Sequence, residues 1–196
     1  MLDGRNKVLK VVYEDNHIIV VVKPYNIPSQ SDKTGDLDML TMVKEYIKEK
    51  YQKPGNVYVG LVHRLDRPVG GLMVFAKTSK AASRLSESIR IKSFQKTYLA
   101  VVHGILENKE GIFEDYLWKD EALNKSKVVD KTKHGSKLAR LSYQVLKELD
   151  NLSLVEIHLE TGRHHQIRVQ FASRNHSLYG DQKYGKGPSQ TQIALW

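Results

Sequence analysis

The segment His63 to Gly71, which reads HRLDRPVGG, contains the residues of this chain that are best suited to chemistry. It places one carboxylate, Asp66, between the guanidinium groups of Arg64 and Arg67. Nearby positive charge favours the ionised form of a carboxyl group, and an ionised carboxylate can act as a nucleophile or as a general base. The simpler interpretation is an Asp that bonds its own turn and makes surface ion pairs. Evidence from the rest of the chain is needed to choose between a reacting and a structural Asp66.

The pattern around this segment predicts that Asp66 lies on a loop between two strands. A β-branched run covers 57 to 65, and a second apolar run covers 72 to 76. Upstream, residues 8 to 22 are typical of a hairpin with polar turn formers at 14 to 16. Loops held on a rigid frame are the usual position of reacting groups, so this position favours a functional Asp.

Three helices are predicted from apolar spacing and capping residues. Asp38 can cap the first, which a Pro-Gly pair ends. The second is amphipathic and covers 79 to 91. We expect the third to begin at Thr161 and Gly162 and to contain Arg168.

The second half of the chain adds strands to these helices. Strands are predicted at 96 to 103 and 152 to 159, whereas the lysine-rich stretch 108 to 137 has the weakest periodicity and is expected to be an exposed loop or ribbon. The pattern predicts an α+β fold with a mixed, mainly antiparallel sheet and flanking helices, in a single domain over 1 to 196.

Composition narrows the classes of function. Lys and Arg number 31 against 22 Asp and Glu, a net charge of +9 that is typical of proteins that bind a polyanion such as nucleic acid. The absence of cysteine excludes disulfides, thiolate nucleophiles and cysteine-based zinc sites. Histidines without carboxylates at ligand spacing give no metal site. With no apolar run long enough for a membrane and no signal peptide, we expect a cytoplasmic protein.

Four segments, taken in order, closely resemble those of the RluA-type pseudouridine synthases. They are HRLD at 63 to 66, KTYLAVVHG at 96 to 104, TGRHHQIR at 161 to 168 and GDQKYG at 180 to 185. One such motif would be weak evidence, but four in order are specific, and the resemblance covers nearly the whole chain. It implies the pseudouridine synthase catalytic fold, and isomerisation of uridine to pseudouridine within a structured rRNA or tRNA as a step of its processing, without a cofactor or a metal.

The resemblance also implies roles for individual residues. Asp66 matches the catalytic aspartate, Tyr98 the tyrosine stacked near the target base, and Arg168 the arginine that ion-pairs with that aspartate. Arg64 matches a residue that fills the gap left by the displaced uridine. The other residues expected to bind the substrate are His63, Leu65, Arg67, Gly162, Arg163, His165 and Gln166.

The chain departs from the family pattern at several positions. RPVGG stands where the family usually has Thr-Ser-Gly, and Val-Gln follows the HQIR arginine where His is common. We also expect no small N-terminal RNA-binding module, a C-terminus shorter than in relatives, which suggests truncation, and a monomer.

Two alternatives remain beside the synthase. The first is a non-catalytic RNA-binding protein that retains the synthase fold and has lost the chemistry through its altered loop. The second is a nucleobase glycosidase, which would release free uracil. For the synthase itself, the residues are compatible with attack of the carboxylate on C1′ or C6 of the nucleotide and equally with removal of a ribose proton.

Overall fold

The computed structural model describes residues 9–185 and 192–196. The chain forms two compact units, which meet in sequence between Phe94 and Gln95. Two compact units can belong to one catalytic domain, so the single domain predicted over 1 to 196 stays a prediction. Within the described ranges, no helix is long and apolar enough to cross a membrane.

The first unit contains a four-stranded antiparallel sheet and two helices. Its elements are β1 (Lys10–Glu14), β2 (Ile18–Lys23), α1 (Met39–Lys50), β3 (Gly60–Leu61), β4 (Gly71–Ala76) and α2 (Ser79–Arg90). The strand order is β1-β2-β4-β3, and every pair in it is antiparallel. Alternate residues of β2 are buried, as the period of a half-buried strand requires. Its core includes Ile19, Val21, Met39, Val43, Ile47, Met73 and Phe75.

The predicted elements of the first unit are mostly confirmed, since the hairpin and both helices form. Asp38 caps α1, because its Oδ1 accepts the Thr41 backbone N–H at 3.1 Å. The strand predicted over 57 to 65 is wrong in extent, since only β3 pairs with β4. The ring of His63 supplies the reason: its Nε2 accepts the backbone N–H of Val74 at 3.0 Å, in place of a strand carbonyl.

The second unit is a five-stranded antiparallel sheet with one short helix. Its elements are β5 (Thr97–His103), β6 (Glu110–Asp120), β7 (Lys125–Val129), β8 (Lys137–Leu149), β9 (Leu152–Leu159) and α3 (Gln166–Ala172). The order is β5-β9-β8-β6-β7. The last residues of the chain run along β5, where Trp196 and Leu99 exchange backbone hydrogen bonds of 2.9 and 2.7 Å. The α+β class and the mainly antiparallel pairing are therefore confirmed.

The stretch 108 to 137, expected to be an exposed loop or ribbon, forms the ribbon of β6 and β7. The structure differs from the sequence pattern at two other elements of this unit. Strand β8, for which no element was predicted, pairs with β6 and β9. In β6 only Phe113 and Leu117 are buried, four residues apart, so a period of two is not visible there, whereas β8 alternates from Ala139 to Tyr143. Helix α3 begins at Gln166 rather than at Thr161, because His165 has φ 54°, in the left-handed region that a helix cannot contain.

Glu14, at the end of β1, forms the main polar contact between β1 and the elements packed around it. Its carboxylate accepts hydrogen bonds from Lys50 at 2.7 Å, Lys77 at 2.6 Å, Tyr51 at 2.8 Å and Tyr46 at 3.1 Å. Burial alone would raise the pKa of Glu14, but the bonds from these cations and from Tyr51 lower it to about 2. Glu14 is therefore ionised in the folded protein at neutral pH.

A stability measurement at two pH values tests this assignment. A folded-state pKa below the ordinary 4.5 means that ionised Glu14 stabilises the fold above pH 4.5, and that this contribution is lost as the pH falls toward 2. We expect Glu14→Gln to lower the free energy of urea unfolding at pH 7 by about 1–2 kcal/mol, because solvent screens the half-exposed Lys50. At pH 3 the loss should be less than half as large. Glu49→Gln, on the exposed face of α1, serves as the control, and equal losses at both pH values would contradict the assignment.

Candidate active site

A buried lysine holds the loop that carries Asp66. Lys23, the last residue of β2, is completely buried. Its Nζ donates hydrogen bonds to the carbonyl oxygens of Val69 at 2.6 Å, Arg67 at 3.0 Å and Pro24 at 3.1 Å. An ammonium group has three protons, and each of them finds an acceptor here. The backbone directly after Asp66 is therefore tied to the sheet.

The charge of Lys23 also acts on Asp66. Burial lowers the pKa of Lys23 to about 8, and attraction to the Asp66 carboxylate opposes that decrease. The candidate carboxylate therefore has a buried cation near it within its own unit. No motif or pattern in the sequence predicted this role for Lys23. The signal that could have identified it is a lysine that continues the buried alternation of β2 and is followed directly by proline.

The backbone before Asp66 is fixed as well. The buried hydroxyl of Ser29 accepts the N–H of Leu65 at 3.1 Å and donates to the carbonyl of the same residue at 2.8 Å. The N–H of Val69 donates to the Asp66 carbonyl at 3.0 Å, which closes a turn. Because both sides of Asp66 are held by buried groups, the loop can present its carboxylate in one orientation.

The two arginines beside Asp66 differ in their surroundings. Arg64 is exposed. The guanidinium of Arg67 binds the carboxylate of Asp36 and, at 3.2 Å, the hydroxyl of Thr34. Arg67 thus links the Asp66 loop to the loop that follows β2, a role that its position in the sequence did not suggest. Substrate binding by the His63 to Arg67 segment stays a prediction.

In the second unit, Arg168 is held by a buried carboxylate. Its Nε and Nη2 donate to the two oxygens of Asp181 at 2.8 and 2.7 Å, and both residues are at least 95% buried. Asp181 Oδ1 also accepts the backbone N–H of Lys183 at 2.9 Å. A bidentate pair of this kind fixes the plane of the guanidinium as well as its position. Asp181 belongs to the GDQKYG motif, which by itself predicted no role for this residue.

The side chain of Gln166 holds the TGR segment, Thr161 to Arg163, in place. Its Oε1 accepts the Thr161 hydroxyl at 2.8 Å and the Arg163 N–H at 3.0 Å, and its Nε2 donates to the Arg140 carbonyl at 3.1 Å. Gln166 is buried, so water does not compete for these bonds. Gln166 therefore shapes the loop that precedes α3, whether or not it contacts a substrate.

His165 is neutral in this structure. Burial, followed by the charge of Arg168, lowers the pKa of His165 to about 2. The hydroxyl of Tyr184 accepts the Ser126 N–H at 2.7 Å and lies 2.8 Å from His165 Nδ1, to which it can donate its own proton. His165 therefore positions the start of α3 and contributes no positive charge for a phosphate.

Tyr98 is a half-buried residue of β5, opposite Ile157 of β9. Asp66 belongs to the first unit, whereas Tyr98 and Arg168 belong to the second. The predicted meeting of these three side chains therefore stays a prediction, and within each unit the structure supplies the contacts that hold its own members in place.

Comparison with known proteins shows the family to which the chain is similar. The family model described as RNA pseudouridylate synthase matches residues 17–173. An uncharacterised RNA pseudouridine synthase of Bacillus subtilis is 35% identical over 182 residues, which are 91% of this chain and 58% of that protein. The ribosomal large subunit pseudouridine synthase D of Neisseria meningitidis serogroup A is 38% identical over 180 residues, 90% of this chain and 46% of that protein. The chain thus spans about half the length of these curated relatives.

Solved structures show the same fold. The human RNA pseudouridylate synthase domain containing 4 superposes with a TM-score of 0.77 at 23% identity, covering 94% of this chain and 71% of that one. The human domain containing 1 also gives 0.77, at 22% identity, and covers 100% of this chain and 78% of that one.

The buried pair in the second unit is open to a direct test. Asp181→Asn leaves the Arg168 guanidinium buried with a neutral partner, and we expect the free energy of urea unfolding to fall by about 3–5 kcal/mol. The matched control is Asp115→Asn, whose partner Arg174 is about a third exposed and can be solvated. A loss for Asp181→Asn no larger than for the control would show that the pair does not stabilise this unit.

Proposed function

The chain belongs to the RNA pseudouridylate synthase family, and from this premise we propose that it isomerises uridine to pseudouridine within a structured rRNA or tRNA, with the Asp66 carboxylate as the catalytic group. The observation that carries the proposal is the position of Asp66 on a loop fixed from both sides, inside the segment that matches the family. That segment also includes Tyr98 and Arg168. Relatives whose names refer to the large ribosomal subunit favour rRNA as the substrate.

The proposed reaction balances without a cofactor. The bond from N1 of uracil to C1′ of the ribose breaks, the base turns over without leaving, and C5 bonds to C1′. C5 then loses its proton and N1 gains one, so the product has the mass of the substrate. An ionised carboxylate at Asp66 supplies either a nucleophile for C1′ or C6, or a base that removes a ribose proton.

The remaining residues are proposed to bring the uridine to this carboxylate. Extruding a base from a stack costs a few kcal/mol, and each stacking contact returns about 1–3 kcal/mol. We assign one such contact to Tyr98 and the filling of the vacated gap to Arg64. Arg168, oriented by Asp181, is assigned the ion pair that keeps Asp66 charged and aligned.

The net charge of +9 supports an RNA partner. Six lysines that could contact phosphates lie on β6 and β7, on the loop that follows β7 and at the start of β8. They are Lys119, Lys125, Lys127, Lys131, Lys133 and Lys137. Recognition of single-stranded or splayed bases with phosphate contacts is the usual mode for such a surface. We propose that the protein acts in the cytoplasm as a monomer.

Replacement of the carboxylate tests the chemistry separately from binding. We expect Asp66→Asn to abolish pseudouridine formation in ribosomal RNA, measured by carbodiimide labelling, while RNA affinity stays within a few-fold of wild type. The control is Asp150→Asn, which makes the same chemical change in an exposed turn at φ 50°, a conformation that Asn tolerates. This control should retain full activity.

Each other outcome contradicts the proposal in a different way. Pseudouridine formation by Asp66→Asn would exclude Asp66 as the reacting group. RNA binding without isomerisation by the unaltered protein would favour the non-catalytic RNA-binding protein. Release of free uracil would indicate a glycosidase.

A further inference from the structure

The second unit contains a cavity that the proposed reaction does not use. It is an open pocket of about 300 Å³, near the lower end of the sizes typical of small-ligand sites, and we call it the Trp118 cavity. Strands β6 and β7, the loop between β7 and β8, and the TGR segment form its walls. The residues used below are Trp118, Lys119, Glu121, Lys137 and Arg163.

The walls combine one aromatic surface with unbalanced positive charge. Lys119 and Glu121 pair at 2.6 Å and neutralise each other. Lys137 and Arg163 are exposed, and neither belongs to an ion pair found among the described residues. A site with two such cations next to an indole suits a ligand that has a planar ring and a negative charge, as a nucleotide does.

A hydrogen bond to the backbone orients the side chain of Arg163, so that its guanidinium can bind an anion. Its Nε donates to the Leu138 carbonyl at 2.8 Å, which orients the side chain along β8. Within residues 9–185 and 192–196, neither of its terminal nitrogens has a hydrogen-bond partner. An oriented guanidinium with two open donors matches the geometry of a phosphate group.

The surface of Trp118 is accessible to a base at small cost. The Nζ of Lys133 lies 5.2 Å from the centre of the indole ring, and Lys133 is an exposed, flexible side chain. An exposed cation–π contact is weaker than the stacking of a nucleobase on an aromatic ring. A base can therefore displace Lys133, whose charge is then available to a phosphate.

We propose that the Trp118 cavity binds a second nucleotide of the RNA, outside the uridine that is modified. Its base stacks on Trp118, and its phosphate pairs with Arg163 and Lys137. This inference rests on the proposed function, because it takes the bound macromolecule to be RNA. The cavity includes Gly162 and Arg163 of the TGR segment, so the nucleotide lies next to a segment expected to face the target.

Fluorescence can report on the cavity directly, because the chain has only two tryptophans. In the Trp196→Phe variant, Trp118 is the remaining one. We expect single-stranded oligouridylate to quench its emission, because a stacked base contacts the indole, and inorganic polyphosphate to bind without quenching. Trp118→Ala should weaken oligouridylate binding by about 5- to 100-fold. The affinity of Trp118→Phe for oligouridylate should stay within about threefold of the wild-type affinity.

A matched pair of lysines tests the phosphate contact. Lys137→Ala, at the start of β8, should lower the slope of log affinity against log salt concentration by about one, because one fewer counterion is released on binding. Lys147→Ala removes the same charge from an exposed position ten residues further along the same strand, and it should leave that dependence unchanged. Circular dichroism and the conservative Trp118→Phe variant distinguish loss of the contact from loss of the fold.

Three results would overturn the inference. They are wild-type affinity in Trp118→Ala, quenching by polyphosphate equal to that by oligouridylate, and equal effects of the two lysine substitutions. None of these measurements requires turnover. If Trp118 is quenched by RNA but the unaltered protein forms no pseudouridine, the proposed function fails and the nucleotide site stands.

Discussion

The buried ammonium of Lys23 is the constraint on which the candidate site depends. An unpaired charge inside a protein costs several kcal/mol, so this lysine is tolerated only because three carbonyl oxygens surround its Nζ. Two of them belong to Arg67 and Val69, in the turn that contains Asp66. The requirement to solvate one cation therefore fixes the backbone of the loop, and the same cation attracts the Asp66 carboxylate.

The second unit follows the same principle, but there a buried carboxylate holds a candidate cation. There the candidate residue is itself the buried cation, Arg168, and Asp181 provides its neutralising partner. Gln166 fixes the loop that precedes α3. Tyr184 fixes the ring of His165. In both units, a residue assigned to the chemistry is held by a buried partner from a different part of the chain.

The sequence predicted those features that depend on local physics. Asp38 caps its helix, and the hairpin and amphipathic helix form where alternation and 3.6-residue spacing indicate. The sequence could not predict partners distant along the chain, such as Lys23 for the turn after Asp66 or Asp181 for Arg168. The strand β8 was missed although its buried residues Ala139, Leu141 and Tyr143 alternate with the less buried Arg140 and Ser142, as the period of a half-buried strand requires. The motifs predicted which residues take part in the chemistry, and the fold shows how those residues are held.

The most direct test of this account is the turnover of Lys23→Met, which keeps an unbranched side chain one atom shorter than lysine and removes the three N–H donors. We predict that kcat for pseudouridine formation falls at least about 100-fold, because a misplaced reacting group loses most of its effective concentration. Affinity for RNA and the circular dichroism spectrum should remain those of the unaltered protein, as they should in the exposed control Lys80→Met. Unchanged kcat in a folded Lys23→Met protein would contradict the claim that this ammonium holds the reacting carboxylate in place.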